Sequence, residues 1–259
     1  MGLTGQIRKK IKKFLYTRKF SKKKYLANIN KKNILITGAN SGIGLALTKR
    51  LLELDNKVLA IYKKNSENLK NIKDSNLSLI KFDLREINKS KNFENIITKT
   101  SVDLILNCAG VSGPSFEDQK IENLDFEKFQ EVLMVNSISI LKITQIILNN
   151  KLSKKNLEIL VNISSDAGSI NLNNQGNAYM YRTSKTALNS ITKNMSIDLM
   201  ARFKTVVFAI DPGNVRSGMN SGGKLETDVC ANLIINLISS NFQLLNGKFV
   251  NLLGDELPW

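Results

Sequence analysis

Apolar residues along this chain fall into short runs of strand length, separated by longer stretches in which they recur every three or four positions. The strand-length runs lie near 33–37, 57–62, 77–82, 102–107, 157–164, 204–210 and 247–252. The longest helical patterns cover about 123–149, 178–202 and 225–240. This alternation predicts an α/β fold with a mainly parallel sheet wound on both faces, in a single domain. Pro114, Pro212 and Pro258, the only prolines, all fall outside the predicted elements. No repeat of short period and no low-complexity linker interrupts the pattern, and no apolar run is expected to reach the length of a membrane span.

With 259 residues, 42% of them apolar, the chain can build one substantial core. Charge divides it into two parts. Residues 1–32 carry 12 of the 38 Lys and Arg and no acid, whereas residues 33–259 hold 26 bases against 22 acids. We therefore expect a basic N-terminal arm over 1–32 and a nearly balanced domain over 33–259. In the arm Leu3, Ile7, Ile11 and Phe14 recur at helical spacing among Arg8, Lys9, Lys10, Lys12 and Lys13, a pattern suited to weak contact with an anionic membrane surface. A disordered arm and a targeting presequence stay open beside that reading. The Met1-Gly2 start lacks the Ser or Thr expected at Gln6 for myristoylation. The arm aromatics Phe14, Tyr16, Phe20 and Tyr25 supply no base-reading pattern, so no specific nucleic-acid partner is expected. The expected location is cytoplasmic, with peripheral membrane association open.

Candidate chemistry sits in the domain. The chain has no His, which removes His-based catalysis and His-ligated metal sites, and Cys108 and Cys230 have no metal-ligand spacing, so no metal is expected. The run Asn33-Ile34-Leu35-Ile36-Thr37-Gly38-Ala39-Asn40-Ser41-Gly42-Ile43-Gly44 reads as a buried strand, a glycine turn and a helix start, with Ile43, Leu47, Leu51 and Leu54 on one helix face. Such a turn lets a pyrophosphate approach the helix N-terminus, where free N–H groups and the dipole favour an anion. Asn107-Cys108-Ala109-Gly110 closes another apolar strand with small residues that admit a ligand. Ser164-Ser165 follows a further strand, and Tyr181 and Lys185 stand four residues apart, on one face of a helix. An ammonium so placed is expected to lower the phenol's pKa toward the range of a working acid. Tyr179 is excluded, because Thr183 rather than Lys lies four residues on. Alternation along a strand sends Ser164 and Ser165 to opposite sides, so one of them faces the site.

Taken in order, Thr-Gly-x-x-x-Gly-x-Gly, Asn-x-Ala-Gly, a Ser after a strand and Tyr-x-x-x-Lys resemble the short-chain dehydrogenase/reductase family from about Asn33 to Trp259. Asn162 to Ile170, Ala178 to Asn189 and the closing Asp255-Glu256-Leu257-Pro258-Trp259 look like the C-factor and sniffer-type carbonyl reductases of that family. The resemblance implies a Rossmann-type domain and an oxidoreductase that reduces a carbonyl to an alcohol, or the reverse, by hydride transfer from a nicotinamide cofactor. It implies a catalytic set of Asn136, Ser165, Tyr181 and Lys185, with Asn136 supporting a water chain behind the Lys. It implies cofactor contacts from Gly38, Asn40, Ser41, Gly42, Ile43, Gly44, Asp83, Asn107, Ala109, Gly110, Tyr181, Lys185, Pro212, Gly213, Val215 and Ser217. Lys63 stands where a basic residue marks a 2′-phosphate and no carboxylate follows the second strand, so NADP(H) is expected, with NAD(H) as the alternative.

Asp211 and Asn214 depart from the subgroup, which often has His and an aromatic residue there, and this bears on the substrate pocket. The loop from Gly218 to Lys224 is short, and its Gly218, Gly222 and Gly223 suggest mobility. The expected partner is a small carbonyl or alcohol substrate. By resemblance a homo-oligomer would pair through helices 123–149 and 178–202. A cofactor-binding protein without turnover, acting in redox sensing or signalling, is the rival reading.

Overall fold

The computed structural model describes residues 29–259 apart from positions 90, 116, 151–156 and 241. The basic arm up to residue 28, with its membrane-surface reading, lies outside the described residues. The chain runs through β1 (Asn33–Thr37), α1 (Gly42–Glu53), β2 (Lys57–Tyr62), the single-turn α2 (Glu67–Lys70), β3 (Leu77–Lys81), α3 (Lys91–Ile97) and β4 (Leu104–Asn107). It continues through α4 (Phe126–Leu133), a π-helical turn (Met134–Ile138), α5 (Ser139–Asn149), β5 (Ile159–Ile163), α6 (Tyr179–Phe203), β6 (Val206–Asp211), α7 (Thr227–Ser239) and β7 (Phe249–Asn251). The seven strands pair in parallel in the order β3-β2-β1-β4-β5-β6-β7, the doubly wound arrangement that the hydrophobic pattern predicts.

Both faces of the sheet are covered. In β1, Ile34 and Ile36 enter one core with Leu47 and Leu51 of α1 and Ile234 and Ile238 of α7. Leu35, on the opposite side of the same strand, enters a second core with Phe93 of α3, Ile143 and Ile147 of α5, and Leu188 and Leu199 of α6. A fully buried side chain of this size contributes about 1.5–3 kcal/mol. Strands with such side chains on both faces cannot slip by one residue without exchanging two cores.

Two details differ from the sequence expectation. Ile29 is buried in the first core, its carbonyl accepts from Asn56 Nδ2 at 3.1 Å, and Lys32 pairs with Glu158 at 2.6 Å. Packed chain therefore begins before the expected boundary at 32/33. The continuous helical segment Phe126–Asn149 is also long and apolar enough, by length and composition, to cross a membrane. Half of its most apolar stretch is buried within this fold, where Ile140, Ile143, Ile146 and Ile147 belong to the second core.

Candidate active site

Strand order reverses where β1 and β4 lie side by side, and a cleft of about 960 Å³ opens at the carboxyl ends of these strands. Such a switch point is where doubly wound sheets take their ligands. The glycine turn forms one wall. Gly38 has φ +68°, and a Cβ there would lie 2.8 Å from Ala109 Cα, so the ends of β1 and β4 touch backbone to backbone. A Cβ on Gly44 would collide with the Gly38 carbonyl oxygen, which is why the third glycine is needed for α1 to start against the turn. Gly42, at φ +53°, faces Ser217 across the cleft. Asn40 ties the turn to the loop after β2 through Nδ2 to the Lys64 carbonyl at 2.8 Å. Ser41 caps α1 without a side-chain hydrogen bond, which leaves the first-turn N–H groups for a ligand.

The floor is formed by β5 and α6. Ser164 is buried and donates to Asn189 Oδ1 at 2.7 Å, whereas Ser165 lines the cleft, accepts from Ala167 N at 3.1 Å and donates to Asp166 Oδ1 at 3.0 Å. Tyr181 lines the same floor as Ser165. A Cβ on Gly168 would come within 2.9 Å of the Lys185 backbone, so the turn Asp166–Gly168 lies directly on α6. Lys185 is 5% exposed, donates from Nζ to the Ile163 carbonyl at 2.8 Å and sits 5.8 Å from the Tyr181 ring centre.

The sequence profile of the short chain dehydrogenases matches residues 32–226. The chain belongs to this family. As a short-chain dehydrogenase it is similar to a 3-oxoacyl-[acyl-carrier-protein] reductase of Rickettsia prowazekii, at 31% identity over 75% of this chain and 77% of that one. It is also 30% identical to the C-signal protein of Myxococcus xanthus, over 61% of this chain and 93% of the relative. Among solved structures, the carbonyl reductase Sniffer of D. melanogaster superposes with a TM-score of 0.78 at 27% identity, covering 89% of this chain and all of that one. The protein is accordingly an NAD(P)-dependent oxidoreductase.

Electrostatics within the cleft depart from the simplest expectation for this family. Burial raises the pKa of Tyr181; the Ser165 hydrogen bond pulls it down, and the carboxylates of Asp166 and Asp211 raise it further. Lys185 is not among the groups that shift the phenol, and burial lowers Lys185 itself to about 8, where it still carries its charge at neutral pH. Asp211 is raised, chiefly by burial, against the bond it accepts from Gly213 N at 3.0 Å. Burial also pushes the Cys108 thiol far above its ordinary range, which leaves it an inert wall residue.

The outer end of the cleft is charged. Lys63 Nζ lies 3.1 Å from Asp83 Oδ2, and Arg85 grips the same carboxylate through Nη2 at 2.7 Å and Nε at 3.1 Å. Partial burial works against the ionised form of Asp83, yet these bonds hold its pKa at about 2.

Gly38, Asn40, Ser41, Gly42, Ile43, Gly44, Lys63, Asp83, Ala109, Gly110, Ser165, Tyr181, Lys185, Pro212, Gly213, Val215 and Ser217 all line this one cleft. Asn107 and Asn136 do not. Asn107 is buried beneath the strand end, donating to Asn162 Oδ1 at 2.8 Å, while the hydroxyl of Thr37 takes the Ala109 N–H at 3.1 Å. Asn136 sits in the π-turn, where its amide accepts from Val111 N and donates to the Val111 carbonyl, each at 2.8 Å, and donates to Ser184 Oγ at 2.9 Å. Its side chain clamps the strand-end loop onto α6.

The Gly218–Lys224 loop also differs from expectation at its base. Arg216 N donates to the Leu225 carbonyl at 2.8 Å, Arg216 pairs with Glu226 at 3.1 Å, and a Cβ on Gly223 would overlap the Val215 carbonyl. Gly223 serves close approach there, whereas a Cβ on Gly218 would meet nothing and one on Gly222 only Asn220 Oδ1 at 3.9 Å. Val111, Ser112, Gln175 and Met219 also line the cleft, and no motif marks them in the sequence.

Proposed function

We propose that this short-chain dehydrogenase is an NADP(H)-linked carbonyl reductase in which Tyr181 is the proton donor. Ser165 holds the carbonyl oxygen, and Lys185 supplies positive charge behind the phenol. The observation that carries this reading is the meeting of Ser165, Tyr181 and Lys185 on the floor of the cleft walled by the glycine turn. The cofactor fits the residues present: Gly38, Gly42 and Gly44 leave a backbone cradle that side chains would fill, and the unpartnered N–H groups of α1 open onto it. When bound, the nicotinamide supplies the hydride.

In the reducing direction the Ser165 O–H turns from Asp166 to the carbonyl oxygen, and Tyr181 transfers its phenolic proton to that oxygen as it gains charge. Each donor aimed at the developing alkoxide is worth on the order of 3 kcal/mol. Lys185, fixed on the Ile163 carbonyl, stabilises the tyrosinate left behind. A phenol whose pKa is raised keeps its proton at neutral pH, the form in which it can donate to the carbonyl oxygen. Two carboxylates, Asp166 and Asp211, face the same floor and oppose an anionic substrate, so neutral carbonyl compounds fit best. Residues 33–259 form the catalytic domain in this account. A second copy would pair over Ile138, Leu141 and Ile197, which are exposed on the two long helical segments.

Preference for the 2′-phosphate rests on Lys63. Because Arg85 holds Asp83 independently, Lys63 can leave that carboxylate for a phosphate without stranding a buried charge. Titration of cofactor fluorescence tests this. The wild type is expected to bind NADPH more tightly than NADH, and Lys63→Asp to cut the ratio by about tenfold or more, as for loss of one charge-assisted contact. Equal ratios in the two proteins would retire the assignment.

A further inference from the structure

We infer that Gln119 is a positioning residue, which sets Tyr181 by capping α6 from a distant loop. The inference rests on the assignment of Tyr181 as acid. Gln119 has no exposure although Asp118 and Lys120 on either side are exposed. Its Nε2 donates to the carbonyls of Ser112 and Pro114, each at 2.9 Å, and its Oε1 accepts from the backbone N–H of Tyr181 at 3.2 Å.

The N-terminus of α6 explains why such a bond is needed. Gly176, Asn177 and Ala178 all have positive φ, at 63°, 55° and 51°, and the capping position falls on Ala178, which has no side chain to offer. Tyr181 is the third helical residue, and its N–H is one that a Ser, Asp or Asn cap would ordinarily take. Gln119, 62 residues upstream, takes it instead. The same amide fixes the loop bearing Val111 and Ser112, which lines the cleft above the phenol. One side chain thus sets both the acid and the wall against which a carbonyl substrate rests.

Gln119→Met keeps the volume and removes all three bonds. With NADPH and benzil as the carbonyl probe, kcat is expected to fall about tenfold or more while NADPH affinity stays within about twofold, the split a misplaced acid produces. Amide exchange at Tyr181 in the NADPH complex is expected to rise about tenfold. Gln119→Glu keeps an acceptor for Tyr181 N–H but removes the Nε2 donors to the loop, so it should restore protection at Tyr181 and recover part of kcat. Unchanged Tyr181 exchange in Gln119→Met overturns the inference, and this readout decides alone if the wild type does not turn over benzil. A loss of kcat matched by loss of NADPH affinity overturns it too, as general structural damage. If Tyr181→Phe retains full turnover, the acid assignment fails instead, whatever Gln119 does.

Discussion

Lys185 combines deep burial with a single carbonyl partner at 2.8 Å, and burial draws its pKa down to about 8. In the proposed mechanism reduction needs its positive charge, so kcat/KM, which reports the free enzyme, should fall as pH rises through about 8. A rate that stays flat well above that value would contradict the role. The stability effect has the opposite sense. An unfolded lysine keeps its proton up to about 10.5 while the folded one releases it near 8, so this group adds stability as pH rises across that window. Helical spacing predicts that Tyr181 and Lys185 share a face, and both line the cleft. It did not yield the phenol's electrostatics, which depend on burial and on Asp166 and Asp211, neither of which belongs to the motif. Asn107 is legible as a strand-end residue, but its burial beneath the cleft is not. Its pairing opposite Asn162 turns the side chain under the cleft, and that register follows from strand order rather than from local sequence. Gln119 carries no local signal, since its partner on α6 is far along the chain.

The strand, glycine turn and helix over Asn33–Glu53 are the element most completely readable in advance, because each glycine answers a steric requirement. Gly44→Ala should drive a methyl group into the Gly38 carbonyl and destabilise by about 1–3 kcal/mol, the usual cost of overpacking. Thermal melting should register that loss, and NADPH titration should show weaker binding; an unchanged melt with full affinity would mean the turn is looser than described. The π-turn at Met134–Ile138 was not legible. It adds one residue to a turn of an otherwise regular apolar helix and brings Asn136 and Ser137 inward, and hydrophobic spacing of 3.6 does not announce it. The left-handed run before α6 was equally hidden, since Asn177 and Ala178 adopt it under tertiary constraint at a cost on the order of 1 kcal/mol each.

At the scale of the whole molecule the alternation of strand-length and helix-length runs was enough to give a parallel sheet covered on both faces, and the switch point between β1 and β4 gathers most of the expected residues into one cleft. The domain boundary was less legible, because Lys31 and Lys32 read as part of the charged arm while Ile29 packs into the core. Truncations that remove residues 1–28 and 1–32 differ in whether Ile29 remains. Deletion of 1–32 should cost about 2 kcal/mol or more through the loss of Ile29, and equal stability of the two truncations would argue against that packing. The central claim is that the cleft performs reduction with Tyr181 as acid. Its most direct test is NADPH consumption with neutral carbonyl compounds by the wild type and Tyr181→Phe, each first shown to bind NADPH. The account predicts alcohol formation by the wild type and a fall of about a hundredfold or more in the variant at similar NADPH affinity. Equal consumption by both, or binding without turnover by the wild type, would contradict it.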